Sequence, residues 1–463
     1  MNLSWSQPGR RWGRRPGVRD IADVDEARPP VGEGGGSDGV GGRTAGMPDG
    51  AELKRRIGTT ALAFRGYDVA NLGRSRELLE HASYGPTVRR HLEHASAVCS
   101  QALGAEVDLV EFVRAGRPTS LETFAHDIAT IVAMEIAQVA LLEEFFDVPA
   151  RKARLSFGYS IGELSALVVG GVFSIDQILP VPLEMAADAA DLAHDATMGV
   201  LFTKGPALRV EDVERLCLAI RSEGRGLIGP SAFLSPNTAL LLGQGDTLDR
   251  LERKIPEYLT GKVMLRRKPH RWPPLHSPLV WRRHIPNRTA VALHRIAGPL
   301  GTPKPPVISC VTGEASYDAI NGRDILARWT DAPQRLWDVI DETLARGVEV
   351  VLHVGPAPNL VPATFARLGN NVSRYLTNKY VHRLGREVVS GMNRYAWLGR
   401  LLPAKTSLLR APYLVHVILE DWLLAQAVPR DAAIPGSAEI GPPRATDIVM
   451  DAIVGESSGL LPR

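Results

Sequence analysis

Cysteine is scarce in this chain of 463 residues: there are three, Cys99, Cys217 and Cys310. They are widely spaced, odd in number and form no CxxC pair. That leaves no basis for a disulfide framework or a structural zinc site and points to a reducing cytoplasm. No metal is expected. Long apolar runs are also missing. None reaches the roughly 18–20 residues that a membrane span needs, and the N-terminus lacks the apolar core of a signal peptide. An excess of one charge is absent too, with 54 Lys+Arg against 51 Asp+Glu. The sequence therefore predicts neither a nucleic-acid nor a membrane partner. What is plentiful is glycine and proline, 44 and 34 residues, and their placement carries most of the information.

Much of the glycine falls in residues 1–57, in RRWGRRPGVR and VGEGGGSDGVGG. No apolar periodicity runs through this stretch, so it cannot offset the entropy of ordering. It is predicted to be a disordered extension. From Thr59 the texture changes: TTALAF reads as a buried strand ending at a Gly66 turn. Strand and helix patterns then alternate, which marks an α/β fold. Residues 198–268 read β-α-β-β-α-β, the ferredoxin-like order, as a small subdomain inserted into a larger one made of 58–197 and 269–385. Residues 386–463 are expected to be a C-terminal extension in which RAPYLVHVILEDWLLAQAV forms one amphipathic helix.

The sharpest local signal is Gly158-Tyr159-Ser160-Ile161-Gly162. This GxSxG follows the strand RLSF and precedes the helical ELSALVVGG, the context in which a nucleophile elbow lifts a serine hydroxyl out of a sheet. Side chains at Gly158 and Gly162 would clash with neighbouring backbone in so sharp a turn. Serine needs a base. Of the 12 histidines, His276 stands out in Pro273-Pro274-Leu275-His276-Ser277-Pro278, a stiff loop suited to a base held in one orientation.

At this point the chain resembles the malonyl-CoA:acyl-carrier-protein transacylases and the related acyltransferase domains of polyketide synthases. The family's GHSLGE pattern looks like GYSIGE here, and its HSPLM loop like HSPLV. Its NVTG turn looks like CVTG, its VGPG turn like VGPA (354–357), and its FPGQG turn like Phe64-Arg65-Gly66-Tyr67-Asp68. LSPNTALLLG is similar to its NSP…ISG strand. These matches keep their order from Thr59 to Tyr380. The resemblance implies an α/β-hydrolase-like large subdomain with an inserted ferredoxin-like one. It implies that Ser160 takes an acyl group from acyl-CoA, with His276 as base, and passes it to the phosphopantetheine thiol of an acyl carrier protein in fatty acid or polyketide synthesis. It places the oxyanion on the backbone N–H groups of Tyr67 and Ile161, and orients His276 by a backbone carbonyl near the 354–359 turn. It implies no cofactor beyond these substrates, and the expected state is a monomer.

One departure bears on the acyl group. Malonyl-specific members carry an Arg on the helix after the elbow, which pairs with the free carboxylate. Here the stretch SIDQILPVPLEMAADAADLAHDATMG has no Arg or Lys, and Met185 stands nearest the Arg position. Pro180 and Pro182 are expected to break that helix. Arg282 and Arg283, just past His276, are possible substitutes. His126, near a family Gln, is a second pocket candidate. An acyl group without a terminal carboxylate, or weak malonyl transfer, is expected. Two alternatives stay open: hydrolysis of acyl carrier proteins on the same fold, and a non-catalytic carrier-protein-binding relative.

Overall fold

Short, largely apolar runs become the strands of two sheets. The computed structural model describes residues 47–296, 301–381 and 396–428. Among them are nine strands: β1 (Thr60–Phe64), β2 (Leu155–Gly158), β3 (Ala196–Thr203), β4 (Ile228–Ser235), β5 (Thr238–Gln244), β6 (Val263–Lys268), β7 (Val307–Ile308), β8 (Val350–Val354) and β9 (Val415–Ile418).

The larger sheet runs β7-β2-β1-β8-β9, with every pairing parallel. All residues of β1 and β8 are buried, as parallel strands covered on both faces must be. Phe64 pairs with both Gly158 and Val354. The carboxyl ends of β1, β2 and β8 therefore lie level, and the loops after them meet. Crevices at such ends are where α/β sheets bind ligands.

The second sheet, β4-β5-β3-β6, is antiparallel. Helices Val210–Arg221 and Thr247–Tyr258 join its strands, and Leu201, Leu216, Leu248 and Leu251 form its own core. It is tied to the larger layer through Gln334, whose N–H donates to the Ser231 carbonyl and whose carbonyl accepts from the Phe233 N–H, both at 2.8 Å.

Both ends of the domain differ from expectation. The sequence predicts a disordered extension over 1–57, but Gly50–Arg56 is a helix with an Asp49 cap on the Glu52 N–H at 2.8 Å. Leu53 is buried beneath it. Residues 1–46 lie outside the described residues. The single C-terminal helix is also corrected. Thr406–Tyr413 is a 3-10 turn run, Val415–Ile418 is strand β9, and only Leu419–Ala425 is helical. Pairing with β8 supplies long-range hydrogen bonds that a helix there would forgo. Trp422 then packs into the core, and its indole N–H reaches the Pro48 carbonyl at 2.6 Å. Glu420, also buried, accepts from the Arg74 N–H at 3.0 Å and the Ala357 N–H at 2.7 Å. Burial pushes its carboxyl up to about 7. The rest of the expected extension, 386–395 and 429–463, lies outside the described residues.

Candidate active site

The site is assembled where three glycines let three backbone segments meet. A Cβ on Gly158 would lie 1.9 Å from the Gly162 carbonyl carbon, and one on Gly162 would lie 2.2 Å from the Arg65 oxygen. A Cβ on Gly66 would lie 3.3 Å from the Ser160 Cβ. Between them Ser160 takes φ +55°, in the left-handed region. A non-glycine residue persists there only when its surroundings over-determine it. Helix Gly162–Val169 starts directly after.

The Ser160 hydroxyl lies 2.7 Å from Nε2 of His276. His276 comes from the proline-bounded loop and also has positive φ, +61°. Its N–H donates to the Thr330 carbonyl at 2.6 Å, and its Nδ1 donates to the Trp329 carbonyl at 2.6 Å. So short a contact with a carbonyl requires the proton on Nδ1. Nε2 then keeps its lone pair for the serine proton. The orienting carbonyl is thus that of Trp329, not one in the 354–359 turn. That turn instead accepts from the buried Arg65, whose Nη1 reaches the Pro356 carbonyl at 2.5 Å.

Burial pulls the imidazole down to about 4, against the opposing pull of the Trp329 carbonyl. A base with that value is neutral throughout pH 5–8. The rate of acyl-serine formation is therefore expected to stay level as pH falls through 6.5, where free histidine titrates. It should drop only as pH approaches about 4. Single-turnover rates over pH 4–8 measure this, and an acid limb centred on 6.5 would contradict it.

Sequence reading missed Gln334. Its side chain is fully buried, with Oε1 accepting from the Ser160 N–H at 3.1 Å and Nε2 3.2 Å from His276 Nδ1. It therefore touches both members of the pair. No motif surrounds it, and it is 174 residues from Ser160 along the chain. Gln334→Leu would strand the Ser160 N–H without an acceptor. A stability loss of about 1–3 kcal/mol is expected, read as a lower urea midpoint with an unchanged slope.

The N–H groups of Gly162, Glu163 and Leu164 return to the carbonyls of Tyr159, Ser160 and Ile161, at 3.1, 3.0 and 3.0 Å. Among the described residues, the N–H groups of Ile161 and Tyr67 donate to no protein acceptor. Tyr67 directly follows Gly66, which packs on the elbow. Its ring meets Phe124 and Trp272 edge-on, at 4.9 and 5.7 Å.

A narrow pocket opens beside the pair. It shares Leu275, Trp329 and Thr330 with the segments that hold His276, and Ile128, Val181 and Met185 add hydrocarbon wall. Met185 lines this pocket, whose walls include neither Ser160 nor His276 themselves. The stretch around it is broken into Ile175–Ile178, Pro180–Leu183 and Ala186–Ala193, the first break at Pro180 and the second at Glu184–Met185. His126 does not line this pocket, and its ring stacks on Phe112 at 5.6 Å. Arg282 and Arg283 are not lining residues either, and Arg283 pairs with Asp191 at the surface. Among the described residues, no group of three His, Cys, Asp or Glu side chains is placed to hold a metal ion. No described helix is long and apolar enough to cross a membrane.

No family model matches the chain. Among curated proteins it is 26% identical, over 313 residues, to the spectinabilin polyketide synthase system protein NorB of Streptomyces orinoci. That stretch is 65% of this chain and 13% of the much longer relative. Solved structures resemble it over a similar share of its length. MCAT of Streptococcus pneumoniae aligns with TM-score 0.53 and 19% identity, over 66% of this chain and 91% of that one. The acyl carrier protein S-malonyltransferase of Vibrio cholerae aligns with TM-score 0.52 and 23% identity, over 65% and 90%. The chain has the fold of the malonyl-CoA:acyl carrier protein transacylases.

Proposed function

We propose that the chain is an acyl-CoA:acyl-carrier-protein acyltransferase of fatty acid or polyketide synthesis, working through an acyl-serine. The observation that carries this reading is the Ser160–His276 contact at 2.7 Å, on an elbow, with Nδ1 bonded to a carbonyl. The antiparallel layer is read as a ferredoxin-like subdomain inserted in an α/β-hydrolase-like one. This accords with its β-α-β-β-α-β order and its β4-β5-β3-β6 arrangement.

In the first half-reaction Ser160 Oγ attacks the thioester carbonyl and gives its proton to His276 Nε2. The C–O bond forms, the C–S bond breaks, and the proton passes to the departing CoA thiolate. In the second half-reaction His276 takes the proton of the carrier's phosphopantetheine thiol. The thiolate attacks the ester, and Ser160 recovers its proton. The Trp329 carbonyl steadies the imidazolium formed in each half. The free N–H groups of Ile161 and Tyr67 suit the oxyanion, and one such donor contributes about 2.7–4 kcal/mol.

Intact-mass measurement after exposure to a panel of acyl-CoAs tests this reading. One acyl adduct is expected, discharged as acyl carrier protein when the phosphopantetheinyl carrier is added. Discharge as free acid would make the protein a hydrolase, and no adduct from any thioester would remove the reading.

A further inference from the structure

The pocket beside the pair presents no group that could receive a charge. Its lining includes no Lys, Arg or His. Three polar hydrogens face that region, and each is engaged. The Thr289 hydroxyl donates to Met185 Sδ at 3.0 Å, and the Thr330 hydroxyl to the Ala327 carbonyl at 3.3 Å. The Trp329 indole donates to the Ser160 carbonyl at 3.0 Å. The nearest cations on the flanking helices are turned outward: Arg283 is paired with Asp191, and Arg288 with Asp188 and the Glu184 carbonyl. A carboxylate in this pocket would shed its water and find neither a cation nor a free donor.

Space sets a second limit. The free volume open to a water-sized sphere is about 10 Å³, room for about one water or one methyl group. The wall most able to yield is Met185. It is 3% exposed, unbranched, packed in the main apolar core, and accepts one side-chain hydrogen bond, from Thr289. Methionine adapts its rotamers at little cost.

We infer that the acyl group carried by Ser160 is small and uncharged, of acetyl size in the pocket as it stands, and that Met185, braced by Thr289, sets the chain-length limit. This rests on the acyl-serine reading above and names its substrate class. The chemistry is unchanged: the acyl C–S bond of the CoA thioester breaks, the acyl C–O bond to Ser160 forms, and CoA leaves as the thiol.

The test is a set of single-turnover labelling rates for the full chain with acetyl-, butyryl- and malonyl-CoA, followed by intact mass. Acetyl is expected to label fastest, butyryl more slowly, and malonyl about 100-fold more slowly than acetyl or worse. Met185→Ala should raise the butyryl-to-acetyl ratio by about tenfold while leaving the far-ultraviolet circular dichroism unchanged. Should that variant misfold, Thr289→Val, which frees the Met185 sulfur without changing the side-chain shape, is expected to move the ratio in the same direction. Malonyl labelling as fast as acetyl would overturn the inference and leave the acyl-serine reading standing. So would a chain-length ratio unmoved in a folded variant. Absence of any adduct would overturn both.

Discussion

Ser160→Ala is expected to abolish the acyl adduct and to lower transfer to a carrier protein by about 10⁴-fold or more. His276→Ala should come close to the same loss. The two side chains are in direct contact at 2.7 Å and act on one proton. Removing both should therefore cost little more than removing either, a non-additivity that marks groups working as a unit. Intact-mass labelling of the two single variants and the double variant measures this. Losses that multiply in the double variant would argue for independent roles and against the proposed pair. Ser160→Ala keeps a Cβ at the same positive φ, so its thermal midpoint should stay within a few degrees of the parent.

The second large effect concerns folding. Gly158→Ala would put a methyl group 1.9 Å from the Gly162 carbonyl carbon and 2.2 Å from the Glu163 nitrogen. Both are backbone atoms of the elbow and cannot rotate aside as a side chain could. The strand end and the helix start must separate. We expect a destabilisation of about 3 kcal/mol or more, seen in urea unfolding, together with loss of labelling at Ser160. Gly104→Ala is the control. It caps a helix at φ +65° with open space around it, so its cost is only that of left-handed backbone, about 1–2 kcal/mol. Equal losses at the two positions would show that crowding at the elbow is not the cause.

The parts of the site legible in the sequence are those whose constraint is local. A strand, a sharp turn and a helix follow one another within residues 155–169, so the elbow announces itself. The prolines around His276 do the same for the loop. Gln334 and the Trp329 carbonyl were not legible, because their partners stand far away in the chain. Any residue contributes a carbonyl, so no letter marks Trp329 as the one that meets Nδ1. The fold shows the same division. The β-α-β-β-α-β stretch is built from neighbouring segments and could be read in order. LVHVILEDWLL has apolar residues compatible with a helix, and its first half became β9 only because β8 offered an unpaired edge. A tertiary partner of that kind overrides a local periodicity.

That edge has a consequence for how the protein can be handled. Every residue of β8 is buried, and β9 covers its outer hydrogen-bonding side through the pairs Val350–Val415 to His353–Ile418. A chain cut at residue 385, the expected end of the large subdomain, would keep Ser160, His276 and Gln334. It would also leave an apolar strand with open N–H and C=O groups on its free side, a template on which further copies can stack. The last described segment is therefore a solubility element. A shortened protein is expected to be lost to aggregation on refolding rather than to an impaired active site, and size-exclusion chromatography would show material in the void volume.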